Sequence, residues 1–238
     1  MTKNIFSILF LLHFFSFSQL QNSNLDFLYP SEGSIFKYHD DWGGKNYKKL
    51  IEEFKSDPLK LNDIVFLGNS ITAGGKNWSQ RLNHPNIKNR GIGGDVSDGV
   101  FGRLEEIIHF KPKAVFLLIG INDLWNNGSP NTPSPEYIGA NIIKIAHFIK
   151  KRCPESKIYV QTILPIHRKI FKESINKVNE IIKSGENDIF QVIDLYSIFA
   201  NEDGLMKTEY TTDGVHLNEK GYQKWTEFIK PIVSLFKD

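Results

Sequence analysis

Residues Lys113–Gly120 read KAVFLLIG, and every position from Ala114 to Ile119 is apolar. A strand with one face in water alternates apolar and polar residues, whereas a strand covered on both faces does not. This stretch therefore belongs at the centre of a sheet with layers on either side. Outward from it, Asn62–Gly68, Lys157–Leu164 (KIYVQTIL) and Ile189–Leu195 (IFQVIDL) read as further strands, with Asn86–Arg90 a shorter and weaker one. Helical patterns fill the gaps. Between Pro135 and Arg152, Ile138, Ile142, Ala146 and Ile149 recur at spacings of 4, 4 and 3, one apolar stripe. Val96–His109, Phe171–Lys183 and Asn218–Phe236 are the other expected helices, the last kinked or split at Pro231. One short helix near Lys45–Phe54 precedes the first strand. The alternation predicts an α/β fold, a parallel sheet of about five strands with helices on both faces. A single domain over residues 19–238 is expected, with an N-terminal extension to about residue 60.

Charge and cysteine content narrow the function classes. The 238 residues include 29 Lys+Arg and 27 Asp+Glu, a net charge of +2, which supplies no broad footprint for nucleic acid. Cys153 is the sole cysteine, so a Cys-based zinc site, an iron–sulfur cluster and an intramolecular disulfide are excluded. At the N-terminus, Lys3 precedes an apolar run from Ile5 to Phe17, and Ser16 and Ser18 stand at the −3 and −1 positions of a cut before Gln19. The run is too short for a membrane span of about 20 residues, and its charged-apolar-small order is that of a secretory signal peptide over residues 1–18. No cysteine lies near the cut, so no lipid anchor is expected. The expectation is a secreted or periplasmic protein with no stable membrane insertion.

In a parallel α/β sheet, ligands bind outside the carboxyl ends of the strands. Four segments at or after such ends carry chemistry. Gly68-Asn69-Ser70-Ile71-Thr72 puts a serine at a strand-to-helix turn, although Thr72 stands where the hydrolase elbow Gly-x-Ser-x-Gly needs glycine. Asn89-Arg90-Gly91-Ile92-Gly93-Gly94-Asp95 permits close backbone approach to a ligand, but Val96 breaks the dinucleotide fingerprint. Gly120-Ile121-Asn122-Asp123 places an amide at the end of the most apolar strand. Asp213-Gly214-Val215-His216 sets a carboxylate against an imidazole. Each segment alone reads as a turn or a helix cap. Their shared position and order at matching strand ends is what points to chemistry. Ala73-Gly74-Gly75-Lys76 misses the phosphate-loop pattern at Ser70 and Asn77, and a zinc hydrolase would need His-Glu-x-x-His, which is absent.

Together, Gly68-Asn69-Ser70, Gly93-Gly94-Asp95, Gly120-x-Asn122-Asp123 and Asp213-x-x-His216 resemble the four sequence blocks of the SGNH hydrolases, also called GDSL-type esterases and lipases. The resemblance runs from about Asn62 to the C-terminus. It implies a flavodoxin-like three-layer α/β/α sandwich. It also implies roles: Ser70 as nucleophile, His216 as general base and then acid, Asp213 as its orienting carboxylate. The oxyanion hole would be the N–H groups of Ser70 and Gly94 with the Asn122 amide, Gly93 being the neighbouring alternative to Gly94. No metal or cofactor is implied. Asn69 departs from the family's Gly-Asp-Ser-Leu, and substrate inference from closely matching members is weakened accordingly.

The polar loop Ile121–Pro135 is expected to wall the site, with Trp125 and Asn69 as substrate-contacting candidates. Trp42 and Trp78 offer further stacking faces, although core packing is the commoner role for each tryptophan, and Trp225 reads as core. Without a lid helix or a long acyl groove, the pattern leans toward acetyl esters on carbohydrate. An acetyl-lipid substrate is the alternative, since family members similar to platelet-activating-factor acetylhydrolase share the Gly-Ile-Gly-Gly-Asp loop. A non-catalytic glycan-binding module is the other. Asn77-Trp78-Ser79 and Asn127-Gly128-Ser129 match glycosylation acceptors, of consequence only in a eukaryote.

Overall fold

The computed structural model describes residues 25–125 and 132–236, so the expected signal peptide and Asn127-Gly128-Ser129 lie outside the described residues. Strands β1 (Ile64–Gly68), β2 (Ile87–Gly91), β3 (Ala114–Leu118), β4 (Lys157–Gln161) and β5 (Gln191–Ile193) form one parallel sheet of order β2-β1-β3-β4-β5. Helix α1 (Asp41–Ser56) comes first; α2 (Ser70–Ala73) and α3 (Trp78–Leu82) follow β1. After β2 come α4 (Ser97–Gly102) and α5 (Glu105–Phe110). Then α6 (Pro135–Arg152) follows β3, α7 (Lys172–Ser184) follows β4, and α8 (Leu195–Phe199) and α9 (Glu219–Val233) follow β5. Helices cover both faces of the sheet, giving the three-layer α/β/α sandwich.

Burial explains which strands announce themselves. Every residue of β1 and β3 is buried, so both are written in apolar residues. The edge strands β2 and β5 are only partly covered. In β2 (IKNRG) the polar side chains all find partners: Lys88 binds Asp57 at 2.6 Å, the Asn89 amide bridges the carbonyls of Ala73 and Lys76, and Arg90 pairs with Glu106. The interior carries an aromatic ladder across paired positions, Phe66 on Phe116 and Phe116 on Tyr159, each with ring centroids 4.8 Å apart. Trp78 stacks on Phe66 at 4.3 Å and meets the edge of Trp225. Both indoles are fully buried, so Trp78, like Trp225, packs in the core and offers no stacking face.

Two helical expectations need correction. The stretch Val96–His109 is two helices, α4 and α5, separated at Arg103 and Leu104. Arg103 turns inward to pair with the buried Asp95, and the Phe36 ring packs where a side chain at Gly102 would stand. At the C-terminus, α9 runs through Pro231 to Val233 before a short 3-10 turn, Ser234–Phe236. Proline removes one N–H near the end of the helix, where few intrahelical bonds remain to lose. The segment before β1 is also ordered: Leu28, Tyr47, Ile51 and Phe54 form a second apolar cluster that closes on Ile92, just beyond β2.

Candidate active site

The chain leaves β1 for β2 on one side and later returns to β3 on the other, which opens a crevice at the carboxyl ends of β1 and β3. Ser70 enters it as the first residue of α2. A side chain at Gly68 would lie 2.2 Å from the Leu118 carbonyl oxygen, so only glycine lets the ends of β1 and β3 meet this closely. Asn69 was expected at the substrate. It is instead 1% exposed, and its Oδ1 accepts the Ile71 N–H at 3.0 Å as the cap of α2. A short Asx cap is the reason asparagine serves here.

The loop Asp213–His216 is tightly braced. Thr211 Oγ1 accepts the Gly214 N–H at 2.9 Å and donates to the His216 carbonyl at 2.7 Å. Asp213 Oδ1 accepts the N–H groups of Val215 and His216 at 2.9 and 2.8 Å, which frees Oδ2 to meet His216 Nδ1 at 2.7 Å. Burial alone would raise the Asp213 pKa, but the hydrogen bonds from the imidazole and the two N–H groups outweigh it and pull it to about 2. The ionised carboxylate needs the hydrogen on Nδ1, so Nε2 is left bare. It faces Ser70 Oγ at 3.0 Å. Ser70, His216 and Asp213 are thus brought into one hydrogen-bonded line.

Gly94 and Asn122 complete the arrangement. Gly94 has φ of +81°, and a side chain there would lie 2.7 Å from the Gly43 Cα, so the position demands glycine on two counts. Its N–H bonds to no described protein group. Asn122 Nδ2 donates one hydrogen to the Asp95 carbonyl at 2.9 Å, which holds the amide at the crevice with its second hydrogen available. Gly94 and Asn122 both line the pocket in front of Ser70. Gly93 does not; its carbonyl is held by the Asn46 amide at 2.8 Å.

Buried charge fixes these loops from beneath. Asp95 is completely buried and is bound by Arg103 Nε and Nη2 at 3.0 and 2.8 Å and by His39 Nε2 at 3.0 Å. Arg103 also donates to the Gly68 carbonyl at 3.0 Å. One guanidinium therefore ties the residue after Gly94 to the backbone that precedes Ser70. Asp123, beside Asn122, accepts the Ser97 N–H and hydroxyl; its burial, opposed by those bonds, pushes its pKa up to about 6.

The pocket encloses about 200 Å³. Trp125, 38% exposed, forms part of its wall, with its ring stacked on Phe171 at 5.7 Å. The other wall comes from before β1: Tyr38, Asp40 and Trp42 reach the pocket, and the Trp42 ring lies against Gly94. Trp42 is 61% exposed. Tyr38 and Asp40 carry no motif, and no local signal marks them; the packing of α1 on Ile92 brings them in. A larger groove, lined by Pro30, Glu32, Lys48 and Glu52, holds none of the converging groups. Among the described residues no cluster of His, Cys, Asp or Glu could hold a metal, and no helix is long and apolar enough to cross a membrane.

Comparison with known proteins places this geometry. The model of the GDSL-like Lipase/Acylhydrolase family matches residues 66–224, well over half of the chain, and takes in Ser70, Gly94, Asn122, Asp213 and His216. The platelet-activating factor acetylhydrolase IB subunit alpha2 of Rattus norvegicus is 26% identical over 204 residues, 82% of this chain and 84% of that protein. Two solved structures share the fold. A GDSL-like lipase from Bacteroides thetaiotaomicron has a TM-score of 0.63 and 24% identity, covering 80% of this chain and 98% of that one. An acetyl xylan esterase has a TM-score of 0.62 and 22% identity, covering 72% and 99%. The chain belongs to the GDSL-like Lipase/Acylhydrolase family and is a carboxylic ester hydrolase.

Proposed function

We propose that the protein is an exported serine esterase that removes acetyl groups from carbohydrate through an acyl-enzyme on Ser70. The observation that carries this reading is the 3.0 Å contact between His216 Nε2 and Ser70 Oγ, backed by Asp213 at 2.7 Å. His216 takes the hydroxyl proton as Ser70 Oγ attacks the ester carbonyl carbon. The oxyanion forms between the N–H groups of Ser70 and Gly94 and the free hydrogen of the Asn122 amide. His216 then passes its proton to the departing alcohol oxygen, and the alcohol leaves. Water, deprotonated by the same imidazole, attacks the acyl-serine and releases the acid. Asp213 keeps the imidazole in its working tautomer and stabilises it when charged.

Three features support the finer assignment. The pocket is small, which suits a short acyl group. Trp42 and Trp125 present exposed rings to it, flat apolar surfaces on which the C–H face of a sugar can pack. The acetyl xylan esterase shares the fold. Export rests on the charged-apolar-small order of residues 1–18. An acetyl-lipid substrate is the second reading, favoured by the similarity to the acetylhydrolase subunit. A non-catalytic glycan-binding module would have no need for an aligned Ser-His-Asp line. The test is an acyl-length series from acetyl to octanoyl run beside acetylated xylan. A maximum at acetyl with turnover of the glycan is expected; a maximum at octanoyl overturns the carbohydrate assignment, and no turnover of any ester favours the binding module.

A further inference from the structure

Among the described residues, the Arg168 guanidinium pairs with no carboxylate. Arg81, Arg90 and Arg103 each hold a carboxylate, Glu219, Glu106 and Asp95 respectively. Arg168 is exposed, and its guanidinium stands 4.7 Å from the centroid of the Trp125 ring. Its place is set from two directions. Trp125 is itself fixed by stacking on Phe171 and lines the pocket in front of Ser70. The preceding residue, His167, donates its N–H to the Gly214 carbonyl at 2.7 Å, inside the loop that carries Asp213 and His216. A guanidinium held against an indole keeps its N–H edges directed outward in a fixed fork, the geometry that meets a carboxylate or phosphate with two hydrogen bonds.

The chemistry at Ser70 says which part of the substrate lies nearby. His216 must reach the leaving oxygen to protonate it, so the alcohol departs beside the His216 loop, to which the residue before Arg168 is bonded. The opposite wall carries Asp40, an exposed carboxylate that caps α1 through the Gly43 N–H at 2.6 Å. An anionic group on the alcohol is repelled from that wall and attracted to the Trp125 side.

We propose that Arg168 is a specificity-determining residue that binds an anionic group, a carboxylate or a phosphate, on the alcohol part of the ester. This rests on the reading of Ser70 as the nucleophile. The enzyme then prefers acidic sugar acetates over neutral ones. The test measures kcat/KM for three acetylated methyl glycosides alike but for one group: a galactoside, the matching galacturonide, and the galactoside 6-phosphate. In the wild type at low salt, one or both acidic substrates are expected to exceed the neutral one by about tenfold, mostly through KM, and the advantage shrinks as salt is added. Arg168→Gln brings the acidic-to-neutral ratio to about one, and Arg168→Glu takes it below one. The arm whose advantage depends on Arg168 identifies carboxylate or phosphate. A wild-type ratio of one on both arms, or an advantage that survives Arg168→Gln, overturns the proposal. Turnover of p-nitrophenyl acetate, read in the same series, separates the two levels. Ester turnover without charge preference defeats only the role of Arg168, whereas no turnover of any ester defeats the nucleophile assignment and this proposal with it.

Discussion

Asn122 spends one amide hydrogen on the scaffold and presents the other to the crevice, so its position is set before any substrate arrives. A donor placed in advance stabilises charge that develops only in the transition state. Asn122→Ala is therefore expected to lower kcat by about 100- to 1000-fold while moving KM little, as read from steady-state kinetics on p-nitrophenyl acetate. A drop in kcat of less than tenfold would contradict its place in the oxyanion hole. Asp213 keeps its charge well into acid. A carboxyl whose folded pKa is lowered keeps its partner interaction above the ordinary aspartate range and loses it only as pH falls through that lowered value, here about 2. Asp213 therefore stays ionised across the working range and keeps its hold on His216 Nδ1.

At the scale of elements, the site is a set of strand ends held in register by what lies beneath them. Arg103, at the break between α4 and α5, bonds both Asp95 and the Gly68 carbonyl. Arg103→Met would leave Asp95 buried with His39 as its remaining side-chain partner. Removing one member of a buried pair costs about 3–5 kcal/mol, and urea unfolding should show a loss of that order. A loss under about 1 kcal/mol would mean that the pair does not hold the loops. The same break shows where sequence reading stops. Strands β1 and β3 were legible because burial on both faces leaves an unbroken apolar run. The polar edge strand β2 was faint because its side chains are satisfied by Asp57, Glu106 and the carbonyls after α2. The division of Val96–His109 was hidden because an arginine in a helical pattern reads as surface, whereas Arg103 is buried. Ser70, Asn122, Asp213 and His216 could be singled out because strand-end position and chain order marked them together. Tyr38 and Asp40 could not, since only the packing of α1 on Ile92 brings their segment to the pocket.

Over the whole molecule, pH acts on stability. Asp123 is a fully buried carboxyl whose pKa is raised from 3.8 to about 6, with burial the largest cause. A raised folded pKa contributes stability that is complete below the unfolded value and lost as pH rises through the folded one. Wild-type stability should therefore fall between about pH 4 and pH 6 from this group, and Asp123→Asn, which cannot ionise, should lack that component. Denaturant midpoints measured across the interval test this; parallel curves for the two proteins would contradict it. The same fold that tolerates this buried acid carries four loops from distant parts of the chain to one rim, and that convergence is the central claim. Its most direct test is labelling with a fluorophosphonate followed by mass-spectrometric mapping of the adduct, in the wild type and in His216→Ala. The account predicts a single adduct on Ser70 whose formation collapses without the imidazole. An adduct elsewhere, or equal labelling of Ser70 with His216 removed, would contradict it.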